Sequence, residues 1–222
     1  QIADILMARG DLDEALRILR EVQIPVFEKL GDVRSLALTQ GQIADILMAR
    51  GDLDEALRIR REVEIPVFEK LGDVRELAVT QGKIADILMA RGELDEALRI
   101  LREVQIPVFE KLGDVLGYAI TQRKVADVLL ERGELDEALR LLREEALPAA
   151  LKVGSVRDVL VFRTMIALTL LRLPAPTSEH AMEIATLLTL AHRDAVRLRI
   201  PEAAQIRAIA SQIGLPLHNM PP

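Results

Sequence analysis

The apolar residues of this chain recur at spacings of three and four, the pattern of amphipathic helices that bury one face. In one stretch the stripe runs through Leu53, Ala56, Leu57, Val63, Val67 and Leu71. The next stripe begins after a Gly-Asp pair, and the pattern predicts helices over residues 74–90 and 94–112. Turns of about two residues between such helices favour antiparallel hairpins.

The hairpin sequence repeats almost unchanged along the chain. Gln1, Gln42, Lys83 and Lys124 open successive copies, so the period is 41 residues. A period in the range of roughly 20–50 residues is typical of stacked repeat arrays. One hairpin cannot bury both of its apolar stripes alone, whereas stacked neighbours cover them.

Glycine, aspartate and proline mark the ends and bends of the predicted helices. Gly51 and its counterparts stand where a helix ends in a left-handed residue. Asp11 and Asp52 follow such glycines, and Glu14 and Glu55 come three residues later, so we expect capping boxes. The prolines equivalent to Pro66 lie inside second helices whose stripes continue, and we expect a bend rather than a break.

The composition and the absence of known motifs argue against several classes of function. The net charge of −6 disfavours general nucleic-acid binding, and the chain has no cysteine for disulfide or thiolate chemistry. The most apolar stretch, residues 159–171, contains Arg163 and is too short for a membrane span. No nucleotide-binding or hydrolase motif is present. We therefore expect no enzyme activity, cofactor, metal, nucleic-acid partner or membrane partner, and a cytoplasmic location.

The copies divide the chain into three parts. Tandem repeats cover residues 1–173, a degenerate hairpin half and a capping helix cover 174–214, and a loose tail covers 215–222. Gln1 falls inside a first helix, so we expect the chain to come from a longer protein. The apolar stripe near this end should be partly uncovered, which predicts weak self-association.

The turn sequence resembles the tetratricopeptide repeat. The matching residues are Gly51, Asp52, Leu53, Glu55 and Ala56. Leu47 replaces the usual tyrosine, the typical tryptophan is absent, and the unit exceeds the usual ~34 residues. It is similar to the long variety found in bacterial signalling ATPases and kinesin light chains. The resemblance implies an all-α, right-handed superhelical solenoid of antiparallel hairpins that binds protein partners.

Polar side chains recur at positions that the family directs into its concave groove. An acidic column with Met contacts and a basic end could bind a peptide; alternatively, the charges form ion pairs between repeats on a solvated face. The candidate residues are Gln42, Asp45, Met48, Lys83, Asp86, Met89, Arg123, Lys124 and Asp127.

Arg60 interrupts an apolar stripe where the other copies carry leucine. Its methylenes could lie along the stripe with the charged head in solvent, or the head could meet a partner. A row of arginines, among them Arg58, with glutamates four residues later predicts ordinary ion pairs on a helix surface.

These features together predict a non-catalytic interaction module. We expect the C-terminal sensor or scaffold part of a larger bacterial signalling protein, with a protein or peptide ligand on the concave face. The alternatives are a self-assembling solenoid and an autoregulatory segment of a catalytic domain outside this chain.

Overall fold

The computed structural model describes residues 2–215, which form helices and short turns without any strand. The contacts divide the chain into two compact units at Leu112 and Gly113. The helices of unit 1 are α1 (Ile2–Arg9), α2 (12–30), α3 (Val33–Arg50), α4 (53–71), α5 (Val74–Ala90) and α6 (94–112). Those of unit 2 are α7 (Val115–Arg132), α8 (135–153), α9 (Val156–Leu171), α10 (Ser178–Leu198) and α11 (Glu202–Gln212).

Within unit 1 each helix packs against its neighbours in sequence, so each first helix contacts both the second helix of its own hairpin and, where one precedes it, that of the preceding hairpin. Their buried faces carry Ile43, Ile46, Ile84 and Ile87, all nearly inaccessible to solvent. Unit 2 shows the same succession, from α7 through α11. The bounds predicted for α5 and α6 agree with the structure. Of the predicted tail, only Leu215 lies among the described residues.

The turn glycines have the left-handed conformation that the sequence predicts. Gly51 has φ 85° and Gly72 has φ 65°, a region that L-residues with a Cβ adopt only with strain. At each of these turns the chain reverses within two residues. The prediction of left-handed helix ends is confirmed.

Each second helix in the four clear copies contains a five-residue π-helical segment just before its Ile-Pro or Leu-Pro pair. In α4 this segment is Arg60–Glu64, and Ile65 N–H donates to the carbonyl of Arg60, five residues back. The wider turn accommodates the proline ring, which would clash with the preceding turn of a regular α-helix. The helix therefore continues past Pro66, as predicted.

The predicted capping boxes at Asp11 and Asp52 are wrong. Neither side chain caps its helix. Glu55 instead accepts two hydrogen bonds of 2.7 Å from Arg58 one turn later, and this charge-assisted pair holds the glutamate away from the helix start. The capping aspartates are those of the other turn: Asp73 accepts from the N–H of Glu76 at 3.1 Å.

This difference predicts unequal effects of two aspartate substitutions. Asp73→Ala should lower the free energy of unfolding by about 1 kcal/mol, because the Glu76 N–H loses its acceptor. Asp52→Ala should cost less than half as much, and Asp73→Asn should retain most of the capping. Urea denaturation followed by circular dichroism measures all three variants. Equal losses for Asp52→Ala and Asp73→Ala would contradict the assignment.

Candidate functional site

One face of the first helices carries the predicted polar and Met residues. In unit 1 each of these side chains is partly exposed, while the neighbouring isoleucines and alanines are buried in the hairpin core. The partly exposed residues are Gln42, Asp45 and Met48 on α3, and Lys83, Asp86 and Met89 on α5. The helical period therefore places the predicted residues of each helix on an accessible face.

Side chains on this face connect successive first helices. Gln42 Nε2 on α3 donates to Asp4 Oδ1 on α1 at 2.7 Å, and Lys83 Nζ on α5 donates to Asp45 Oδ1 on α3 at 3.1 Å. Part of the predicted acidic column thus serves contacts between repeats, as the second interpretation of the sequence expected. Both pairs are partly solvated, and exposed pairs of this kind contribute only ~0–1 kcal/mol.

In unit 2 the same face of α7 carries Arg123, Lys124 and Asp127, all partly exposed. Arg123 Nη1 donates to Asp127 Oδ2 at 3.2 Å, one helical turn away. This pair neutralises one acidic position of the predicted column. Arg123 occupies the position that glycine holds in the two preceding copies.

Arg60 is buried, which contradicts both expectations for this residue. Its Nη1 donates to Glu64 Oε2 at 2.5 Å and its Nη2 donates to Asp45 Oδ1 at 2.6 Å. Only 4% of Arg60 and 3% of Glu64 is exposed. The guanidinium is neither exposed to solvent nor available to an external partner, because two nearby carboxylates compensate its charge. Its Nε has no acceptor among the described residues.

Burial dominates the electrostatics of Glu64. Loss of hydration raises the pKa of its carboxyl above the usual value, and the nearby Arg60 opposes this shift only in part. Asp45 adds a smaller upward influence, and Lys83 a smaller downward one. Folding therefore shifts the protonation equilibrium of Glu64 toward its neutral form, relative to the unfolded chain.

Two glycines inside first helices make room for the ends of the π-helical segments. A Cβ on Gly41 would lie 2.2 Å from Glu64 Oε1, and a Cβ on Gly82 would lie 2.0 Å from Gln105 Nε2. Gln105 Nε2 donates to the carbonyl of Ala78 at 3.1 Å in the same buried contact. These glycines are required for close approach, although both lie in helices where glycine is otherwise unfavourable.

These contacts were not predicted, although the copies contain a signal for them. Where the first copy has Leu19 and Gln23, the second copy has Arg60 and Glu64. These are two of the four differences between the first two copies. One period later, the larger Arg123 stands in place of Gly82 and the smaller Ala146 in place of Gln105. Paired changes at contacting positions are expected when a packed interface is altered.

A third paired change lies inside unit 2. Tyr118 and Glu145 occupy the positions of Leu77 and Val104, and the Tyr118 hydroxyl donates to Glu145 Oε2 at 3.1 Å. Buried Gln122 donates from Nε2 to that carboxylate oxygen at 2.6 Å. A hydrogen-bonded polar cluster thus occupies positions where the preceding copy carries two apolar side chains.

The arginine and glutamate row forms ordinary surface pairs, as predicted. Arg58 binds Glu62 one turn later at 3.2 Å as well as Glu55 one turn earlier. Hydrogen bonding from Arg58 lowers the pKa of Glu55. Such self-contained pairs leave little charge available for a ligand.

His180 closes a capping box with Thr177, because its Nδ1 accepts from the Thr177 N–H at 3.2 Å. In the described part of the chain, no three metal-ligating side chains cluster closely enough to hold a metal ion. None of the described helices combines the length and the apolar character that crossing a membrane requires. His218 lies outside the described residues.

Solved structures show where this fold occurs. Nearly identical TPR-like repeats of a candidate kinesin light chain from Podosopora anserina align with a TM-score of 0.64 at 19% identity, covering 89% of this chain and 93% of that one. BtubC (BKLC) from P. vanneervenii aligns with a TM-score of 0.65 at 16% identity, covering 99% and 80%. Aspartyl phosphate phosphatase F from Bacillus subtilis aligns with a TM-score of 0.69 at 12% identity, covering 100% and 61%. At these identities the likeness concerns the fold, an all-α helical repeat solenoid.

Family models provide the sequence evidence. A tetratricopeptide repeat model matches residues 76–150, and a second tetratricopeptide repeat model matches residues 3–21 and 37–62. No curated protein matches the chain. The matched segments include most of α3, α5 and α8 and all of α6 and α7. The repeated turn, the helical hairpins and both models agree, and the chain belongs to the tetratricopeptide repeat family.

Proposed function

We propose that this chain is a non-catalytic protein–protein interaction module that binds a peptide or partner through the exposed faces of its first helices. The family supports protein–protein interaction in general. The observation that carries the finer proposal is the accessible row on α3 and α5, where Met48 and Met89 stand among polar side chains. Flexible Met side chains adapt to varied apolar ligands, and several modest contacts can add up along a groove.

We propose the same kind of contact, within unit 2 itself, for the face of α7 with Arg123, Lys124 and Asp127. The chain would serve as the sensor or scaffold part of a larger bacterial signalling protein.

A displayed library of extended peptides, selected on the wild-type chain, tests the binding face. The best peptide should bind the Met48→Glu/Met89→Glu variant at least about tenfold more weakly than wild type, because two apolar contacts become charged and solvated. Asp45 is left intact in this test, since its removal would leave buried Arg60 with one carboxylate fewer. Fluorescence anisotropy with labelled peptide gives the dissociation constants.

The matched control alters exposed ion pairs on the second helices. Arg58→Ala/Arg99→Ala removes two arginines from exposed surface pairs and should leave the affinity unchanged within about twofold. Circular dichroism confirms that both double variants remain helical. A peptide that binds the Met variant normally but binds the Arg variant more weakly would place the site on the second helices instead.

A second candidate, self-assembly, is favoured by one observation at the end of unit 1. Ile2 and Ile5 on α1 are 65% and 54% exposed, whereas their counterparts Ile43 and Ile46 are 2% and 0% exposed. An apolar surface of this kind favours association. The autoregulatory alternative has no comparable observation in its favour.

Sedimentation velocity over a concentration series tests self-assembly. The wild-type chain should show a reversible, concentration-dependent increase in sedimentation coefficient, and Ile2→Glu/Ile5→Glu should abolish it. Val33→Glu, which changes an exposed apolar residue at the start of α3, is the control. A wild-type chain that stays monomeric at the highest concentration would exclude this candidate.

A further inference from the structure

Four charged side chains of alternating sign run from the interior of unit 1 to its proposed binding face. The order is Glu64, Arg60, Asp45 and Lys83, joined by contacts of 2.5, 2.6 and 3.1 Å. Exposure of these side chains rises along the series, from 3% and 5% to 30% and 39%. Asp45 Oδ1 accepts from both Arg60 and Lys83, so the two cations share one acceptor atom.

Only the second copy can form this series, because leucine occupies the Arg60 position in the others. The buried end is held by the π-helical segment of α4, and the exposed end lies on α5 of the next hairpin. Gly41 on α3 leaves the space that Glu64 fills. The arrangement therefore connects three helices and is specific to one place in the array.

We propose that these ion pairs form a relay in which the ionisation of buried Glu64 sets how firmly Asp45 holds Lys83. With Glu64 ionised, Arg60 divides its interaction between two carboxylates, and Asp45 retains charge to hold the Lys83 ammonium. With Glu64 neutral, Arg60 interacts with Asp45 alone, and Lys83 is released toward solvent.

The charges around Glu64 allow this behaviour. The charged groups acting on it are Arg60 on its own helix, Asp45 on α3 and Lys83 on α5. Desolvation raises the pKa of Glu64, so protonation occurs in milder acid than for a solvated glutamate. As the pH falls through this pKa, Lys83 becomes available to a carboxylate of a bound peptide. That consequence for binding rests on the proposed function, whereas the relay itself does not.

The test is the reactivity of the Lys83 amine toward trace amounts of acetic anhydride at constant pH, read by peptide mass spectrometry. Glu64→Gln imitates the neutral state and should raise Lys83 acetylation by about two- to fivefold, the range expected for loss of a partly exposed ion pair. Arg60→Leu/Glu64→Gln leaves Asp45 to Lys83 alone and should lower acetylation below the wild-type value. Lys70, exposed on α4, is the internal reference.

Opposite responses of the two variants cannot arise from general loosening, which would raise reactivity in both. Changes in the same direction, or no change, would overturn the relay. The wild-type chain provides an independent reading: the Lys83 ¹³Cε NMR signal should shift as the pH falls through the raised pKa of Glu64, and the double variant should lack that step. Neither measurement uses a peptide ligand, so failure of the proposed binding function would leave both results unaffected.

Discussion

Arg60→Leu alone should lower the free energy of unfolding at neutral pH by about 3–5 kcal/mol, because it leaves Glu64 buried without its cation. Arg60→Leu/Glu64→Gln should be as stable as wild type or more stable, by up to about 4 kcal/mol, since an apolar side chain then replaces a desolvated ion pair. The third copy already contains this combination as Leu101 and Gln105, both buried. Urea denaturation of the two variants, Glu64→Gln and wild type completes a double-mutant cycle.

The pH dependence of this cycle has a definite sign. The folded-state pKa of Glu64 lies above its ordinary value of 4.5, so folding favours the protonated form. The resulting stabilisation is present in acid and is lost as the pH rises through the folded-state pKa. The stability advantage of Arg60→Leu/Glu64→Gln over wild type should therefore widen between about pH 4.5 and neutrality. An advantage that shrinks over this interval would contradict the raised pKa.

Gly82→Ala should destabilise unit 1 by about 1–3 kcal/mol, the usual cost of overpacking a filled interior. The added Cβ would meet the Gln105 amide at 2.0 Å and force it away from the Ala78 carbonyl. The expected loss runs against helix propensity, by which alanine should be about 1 kcal/mol better than glycine.

A compensating substitution distinguishes the steric explanation from others. Gly82→Ala/Gln105→Ala should return to within about 1 kcal/mol of wild type, because removing the amide opens the space that the new methyl needs. At the equivalent positions one period later, the larger Arg123 is accompanied by the smaller Ala146. Thermal or urea denaturation gives the values. A double variant that loses as much stability as the sum of the two single variants would exclude the proposed contact.

The family and most helix bounds could be predicted from the sequence because their causes are local. A left-handed helix end needs a glycine such as Gly51 at that position, whatever surrounds it. The apolar stripe predicts which face is buried, and the 41-residue period predicts that the next copy behaves alike. Continuity of α4 past Pro66 also follows from its stripe, although the π-helical turn that permits it was not foreseen.

The candidate site depended on distances between hairpins, which a linear pattern does not contain. The partial exposure of Asp45 follows from helical period, but its sharing between Arg60 and Lys83 requires α3, α4 and α5 in place. Asp52 and Asp73 both follow a glycine, yet of these two only Asp73 accepts a capping hydrogen bond at the start of its helix.

The sequence by itself determined the repeat, the hairpins, the turns and the family, because each rests on residues that are close along the chain. Only the tertiary structure decided that Arg60 is buried, that Gly82 is required, and that Asp45 serves a neighbouring repeat. The physical reason is that the cost of burying a charge or adding a methyl depends on atoms contributed by other helices, and folding brings those atoms together.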